Sequence, residues 1–205
     1  MSKIDLKKDF KHLYSPSAGQ VSVVDVPPLN FLMIDGAGDP NVAPEYRQAI
    51  EALFSLSYTL KFTIKAGGGV DYAVMPLEGL WWTDDPGQFS ASNKGIWKWT
   101  AMIVQPEYVT DQLFAEAFAE VRRKKDLPAL AGVRFEPYHE GLSVQTMHIG
   151  PYAAEEPTVA RLHGFARENG YELSGKHHEI YLSDPGRTAS EKLKTVVRHT
   201  VRKRA

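Results

Sequence analysis

His177-His178-Glu179-Ile180-Tyr181-Leu182, near the C-terminus, is the stretch whose reading decides the fold. Strand side chains alternate with a period of two, so His178, Ile180 and Leu182 share one side and His177, Glu179 and Tyr181 the other. Ile180 and Leu182 call for a core. On the opposite side a carboxylate and an aromatic ring face outward together, where a bound molecule could meet them. A strand glutamate by itself most often just faces water, so the case for a site rests on what surrounds it.

Working outward, the stretch has a counterpart in the first half, and the whole chain reads as two copies of strand, helix, strand, strand. Phe31 to Gly36 corresponds to Val144 to Gly150, Tyr72 to Leu80 to His177 to Leu182, and Thr100 to Val104 to Thr195 to Val201. In the first copy, Val21 to Ile34 supplies strand material interrupted by Pro27-Pro28, which suits an edge or a bend. Pro44 opens an amphipathic helix over 44–63, and strands follow at 71–82 and 95–105. Thr110 caps a linking helix over 110–125 whose Arg122-Arg123-Lys124-Lys125 end complements the helix dipole and reads as a solvated terminus. In the second copy, strands Val133 to Tyr138 and Leu142 to Ile149 flank a hairpin-like His139-Glu140-Gly141. A helix carrying Val159, Leu162, Phe165 and Ala166 comes next, then strands 176–183 and 193–201. The expected fold is therefore α+β, with duplicated β-α-β-β units about a pseudo-two-fold and mostly antiparallel sheets. Residues 1–18 form an N-terminal arm, and 19–205 one ligand-binding domain of two repeats, about 19–106 and 133–201. Each unit has a helix on one sheet face, so the free faces are expected to form a central cleft.

Composition bounds the function. The 205 residues carry a formal net charge of -1, which argues against a general nucleic-acid binder. There are 0 cysteines, so disulfides, thiol catalysis and thiolate zinc sites are excluded, and a cytoplasmic location fits. Met1 to Tyr14 lacks the long apolar run of a secretory signal, and no stretch approaches the roughly 20 apolar residues that cross a bilayer.

The aromatic residues mark where chemistry would sit. All 4 tryptophans fall in 71–82 and its partner strand: Trp81, Trp82, Trp97 and Trp99. Alternation puts Tyr72, Val74, Glu78 and Trp82 on one face unless Pro76 introduces a bulge. Tryptophans with a carboxylate among them look like a box for a flat or cationic ligand, although plain packing of the sheet would also use them. Glu78 and Glu179, from matching strands, form the candidate acidic pair, with Tyr181 as hydrogen-bond donor. Trp82, Trp97, Trp99 and Tyr72 would line the cleft, with Met147 and Tyr152 at its edge. His148, His163, His177 and His178 show no metal-binding helix spacing, so neither a metal nor another cofactor is expected. Gly67-Gly68-Gly69 lacks the strand-to-helix context of a phosphate loop, and there is no Gly-x-Ser-x-Gly elbow.

Pro76-Leu77-Glu78-Gly79-Leu80-Trp81-Trp82, Trp97-Lys98-Trp99-Thr100-Ala101-Met102-Ile103 and His178-Glu179-Ile180-Tyr181-Leu182-Ser183-Asp184-Pro185 carry a resemblance. Over about 19–201 the chain resembles GyrI-like small-molecule-binding proteins of the SOUL/GyrI-type effector-binding superfamily. The last motif, running on through Arg187 and Glu191 to Thr195, is similar to a stand-alone subgroup. The resemblance implies a cleft for a hydrophobic aromatic or cationic small molecule, faced by an acidic residue at the position of Glu179. It also implies a role as sensor, sequestering protein or gyrase inhibitor, or as an enzyme, since some stand-alone members hydrolyse cyclopropane-bearing DNA-alkylating compounds. Opening such a ring suits an acid and a base set against tryptophans, which raise a carboxyl pKa. The drug-sensing activators carry an N-terminal helix-turn-helix, and residues 1–18 are too short for one. No direct DNA binding and no membrane partner is expected, and the chain would be a monomer or weak homodimer.

Overall fold

A computed structural model of the chain describes residues 4–90 and 93–204. Eight strands make one antiparallel sheet: β1 (Ser22–Val26), β2 (Leu29–Ala37), β3 (Glu78–Trp82), β4 (Lys98–Gln105), β5 (Arg134–Tyr138), β6 (Gly141–Ile149), β7 (Tyr171–Tyr181) and β8 (Lys194–Lys203). Their order is β1-β6-β8-β7-β3-β4-β2-β5. Exchanging β1 with β5, β2 with β6, β3 with β7 and β4 with β8 reverses this list without changing it. Five α-helices complete the fold: α1 (Leu6–Asp9), α2 (Lys11–Tyr14), α3 (Pro44–Ala66), α4 (Asp111–Lys124) and α5 (Glu156–Glu168).

Local chemistry explains most boundaries. Pro27-Pro28 ends β1 and lets the chain bend, so β1 goes to one sheet edge beside β6 while β2 starts at Leu29 on the other side. Pro44 occupies the first turn of α3, where its missing N–H is no loss. Thr110 Oγ1 accepts from the Leu113 N–H at 3.2 Å and caps α4.

Three expectations need correction. The turn 139–141 is not a hairpin: β5 pairs with β2 and β6 with β1 and β8, so the chain crosses the sheet there. The first strand after α3 covers only Glu78–Trp82: Pro76 lacks a ladder donor, and Tyr72 bridges Ile4 instead. The stretch read as an arm enters the core, with Leu13 and Tyr14 buried.

Register then sorts the two faces. Tyr46 of α3 packs on Trp81 and Trp99, and His163 of α5 on His199, which pairs with His177. Helices α3 and α5 therefore lie on the face that carries Trp81, His177 and Glu179. On the opposite face α2 sits over a buried ionic network. Tyr14 Oη donates to Glu78 Oε1 at 2.8 Å, and His178 places Nε2 3.0 Å from Glu78 Oε2 and Nδ1 3.0 Å from Glu140 Oε2. Arg198 donates to Glu140 Oε2, Gln145 Oε1 and the Leu13 carbonyl, each at 2.9 Å. Burial alone would discharge His178, but Glu140 and then Glu78 outweigh it and hold the imidazolium up to about 9. Burial would likewise protonate Glu140, yet His178 and Arg198 pull it down to about 2.

Gly36 in β2 is required by close approach, since a Cβ there would fall within the Trp99 indole. Gly36→Ala is expected to lower stability by about 1–3 kcal/mol through overpacking, read from a denaturant midpoint that falls at unchanged slope. An unchanged midpoint would mean that Trp99 moves freely.

Candidate functional site

The site is built on the alternation of β7. Glu179 lies on its helix-side face between His177 and Tyr181, the two neighbours that alternation gives it. Tyr181 Oη donates to Glu179 Oε2 at 2.8 Å, and His177 Nε2 stands 3.1 Å from Glu179 Oε1. Across the ladder Glu179 faces Gly79, which has no side chain. That gap lets the Trp81 indole fold back over the strand, its Nε1 2.8 Å from where a Gly79 Cβ would be.

A second carboxylate arrives from outside the sheet. Glu155 immediately precedes α5, makes no side-chain cap bond to it, and is 6 % exposed. Ligand atoms of Glu155, His177 and Glu179 all lie within 4.8 Å of one another. Such a set is close enough to hold one cation or to share one proton. Each Glu179 oxygen already has one neighbour, Tyr181 Oη or His177 Nε2. Among the described residues no donor reaches Glu155 Oε1, which is buried. Burial, then the charge of Glu179, raises the Glu155 carboxyl well above the ordinary range. The N-terminus of α5 would favour the anion by only ~0.3–1 kcal/mol, too little to reverse this. Burial also opposes ionisation of Glu179, but hydrogen bonds from His177 and Tyr181, and the proton on Glu155, hold it below the usual value. One carboxyl thus keeps a proton while its neighbour stays ionised. Tyr181 is pushed up by burial and by Glu179, so its hydroxyl remains a donor.

Aromatic rings enclose the pair. Tyr152 meets Tyr181 edge-on at 5.5 Å, and Tyr46 stands 5.4 Å from Trp81 and 5.0 Å from Trp99. Trp97 lies 5.6 Å from Trp81 and stacks on Phe89 at 4.7 Å, and Phe89 reaches His177 at 5.7 Å.

The structure therefore brings together Glu179, Tyr181, Tyr152, Trp97 and Trp99. It separates the others. Glu78 pairs with Ile180 in the ladder while Glu179 pairs with Gly79, so the two expected partners point to opposite faces, and Glu78 belongs to the buried network. Trp82 shares the Glu78 face, where Lys176 Nζ lies 3.4 Å from its ring centre. Met147 pairs with Val196, which pairs with Ile180, and so also lies on that far face. Tyr72 packs on Tyr108 near the C-terminal end of α3, where Lys65 binds Asp71, roughly 30 Å along the helix from Tyr46. The carboxylate pair therefore sits on the helix-bearing face with α3 and α5, not on the faces expected to be free.

Glu155, Tyr46 and His177 carry no motif of their own in the sequence, and Trp81 enters it only as one of the 4 tryptophans. His177 was available from the alternation already used. Glu155 left a weaker trace, an acidic pair just before Pro157 at a helix start, and nothing local aims it at Glu179.

The fold is a two-faced antiparallel sheet with a carboxylate pair set among aromatic rings on its helix-bearing face. The chain belongs to the GyrI-like family: the model of the GyrI-like small molecule binding domain matches residues 19–199. It is similar to an uncharacterized conserved protein from Listeria innocua, at 38 % identity and TM-score 0.91 over 98 % of this chain and 100 % of that one. A hydrolase from Listeria innocua is likewise 38 % identical, with TM-score 0.86 over the same shares. The EcmrR C-terminal domain shares the fold at 13 % identity and TM-score 0.55, over 90 % of this chain and 98 % of that one. No match emerges among curated proteins.

Proposed function

We propose that the cleft between α3 and α5 binds a hydrophobic aromatic molecule and that the Glu155–Glu179 pair adds water to a strained ring on it. The observation that carries this reading is two adjacent carboxyls, one pushed up by burial and the other held down by its hydrogen bonds, a combination suited to general acid–base work at neutral pH. Glu179 takes a proton from water as its oxygen bonds to the ring carbon. The ring C–C bond breaks, and its electron pair passes through the conjugated system to the carbonyl oxygen, which receives the proton of Glu155. Tyr181 keeps Glu179 oriented, and the aromatic walls hold the flat ligand and exclude bulk water. The hydrolase name of one 38 % identical relative supports the enzymatic reading, and the resemblance to cyclopropanoid hydrolases supplies the substrate type. Glu78, bonded to Tyr14 and His178 on the opposite face, holds β3, β7 and α2 together.

The test is incubation with a cyclopropane-bearing dienone, following by mass spectrometry a product heavier by one water. Wild type is expected to form it well above the buffer rate, and Glu179→Gln is not. Absence of turnover with tight binding, read by tryptophan fluorescence, would leave the protein a binder that sequesters or senses the compound. Absence of both would end the proposal.

A further inference from the structure

Among the described residues, buried polar atoms without a partner cluster around Glu179, among them Trp81 Nε1, Glu155 Oε1 and Thr195 Oγ1. Register places the first beside Glu179 through Gly79, and the last beside Tyr181, with which Thr195 pairs. Native proteins rarely leave such atoms unpaired, and clustering of orphans around one carboxylate indicates groups that a bound molecule satisfies. Of the three, the indole N–H has one chemical meaning, because it only donates. Its position is fixed: the ring is 3 % exposed, held by Tyr46 and Trp97, and turned over Gly79, a place no larger residue would leave open.

We propose that Trp81 is a specificity-determining residue of the cleft, donating its indole hydrogen bond to an acceptor oxygen of a planar aromatic ligand. The acceptor is a carbonyl or phenolate oxygen near the edge of the ring system that lies against Glu179. This rests on the proposed binding at the cleft and adds the chemical class it selects: oxygenated polycyclic aromatics over their plain hydrocarbon counterparts. Trp81 is a binding residue in this reading, while proton transfer stays with the two carboxyls.

The experiment compares 9-fluorenone with fluorene, which share a ring system and differ in one carbonyl. Titration calorimetry is expected to give about five- to tenfold tighter binding of fluorenone to wild type, the worth of one net hydrogen bond. Trp81→Phe keeps the aromatic contacts and removes the donor, so it is expected to bind both probes equally, at the fluorene affinity. A second readout needs no variant affinity. Among the 4 indole N–H resonances of the 15N-labelled protein, the one lost in Trp81→Phe is expected to move with fluorenone and stay put with fluorene. Equal binding of the two probes to wild type, or an unchanged preference in Trp81→Phe, would overturn the role of Trp81 and leave the cleft reading intact. Failure of both probes to bind wild type would overturn the cleft reading, and this inference with it.

Discussion

Glu155→Gln is expected to lower turnover by about 10²–10⁴-fold, the usual worth of a general acid or base, while the protein melts no earlier than wild type. The combination follows from the raised pKa of a buried acid. At neutral pH an unfolded Glu155 is ionised, whereas the folded one binds a proton, because burial and Glu179 disfavour its charge. Folding must therefore take up a proton, which costs stability increasingly as pH rises above the unfolded value of 4.5. Gln has the shape of the protonated acid and avoids that cost. The variant is expected to match wild type in acid and exceed it at neutral pH, when melting temperatures are compared across that range. Wild-type turnover should fall at low pH as Glu179 gains a proton and at high pH as Glu155 loses its own. A Gln variant that keeps the wild-type rate would remove Glu155 from the reaction.

The second large effect lies on the other face. Glu140→Gln leaves Arg198 and the His178 imidazolium buried beside a neutral amide, and removing one partner of a buried ion pair costs about 3–5 kcal/mol. The network also sets a pH window. His178 is raised from 6.5 to about 9, so its contribution, about 3 kcal/mol, is complete below pH 6.5 and lost as pH rises through 9. Glu140 is depressed from 4.5 to about 2, so its share is present above pH 4.5 and lost as pH falls toward 2. The two shifts describe the same contacts and are not summed. In a Glu155→Gln background, which removes the decline that Glu155 causes, denaturant midpoints should hold between pH 4.5 and 6.5 and then decline through pH 9. Adding Glu140→Gln should give a curve that starts lower and declines less. A curve flat from pH 6 to 10 in the Glu155→Gln background would exclude a charged His178.

His178 and Glu179 show how the two faces depend on each other. They are consecutive in β7, so the buried network that clamps His178 also fixes the strand roll that turns Glu179 toward Glu155.

Much of this was legible in the residues. Alternation in 177–182 follows from strand geometry alone and placed His177, Glu179 and Tyr181 together correctly. The helices at 44 and 110 announced themselves through Pro44 and Thr110, because a cap needs only its own neighbours. Trp97 and Trp99 fell on the site side for the same local reason. The α+β class followed from the element order and needed no knowledge of contacts.

The tertiary structure alone decided which carboxylate partners Glu179. Choosing Glu78 required the register of β3 on β7, and a shift of one residue moves every side chain to the opposite face. In the register the sheet adopts, Gly79 faces Glu179 and Glu78 faces Ile180. Glu155 lies on no strand and reaches the site only because α5 packs across β6, β7 and β8. What the sequence by itself determined is therefore each strand's own faces and each helix's ends, which depend on bonds a few residues long. Which faces meet depends on pairing between residues a hundred positions apart, and only the folded sheet expresses it.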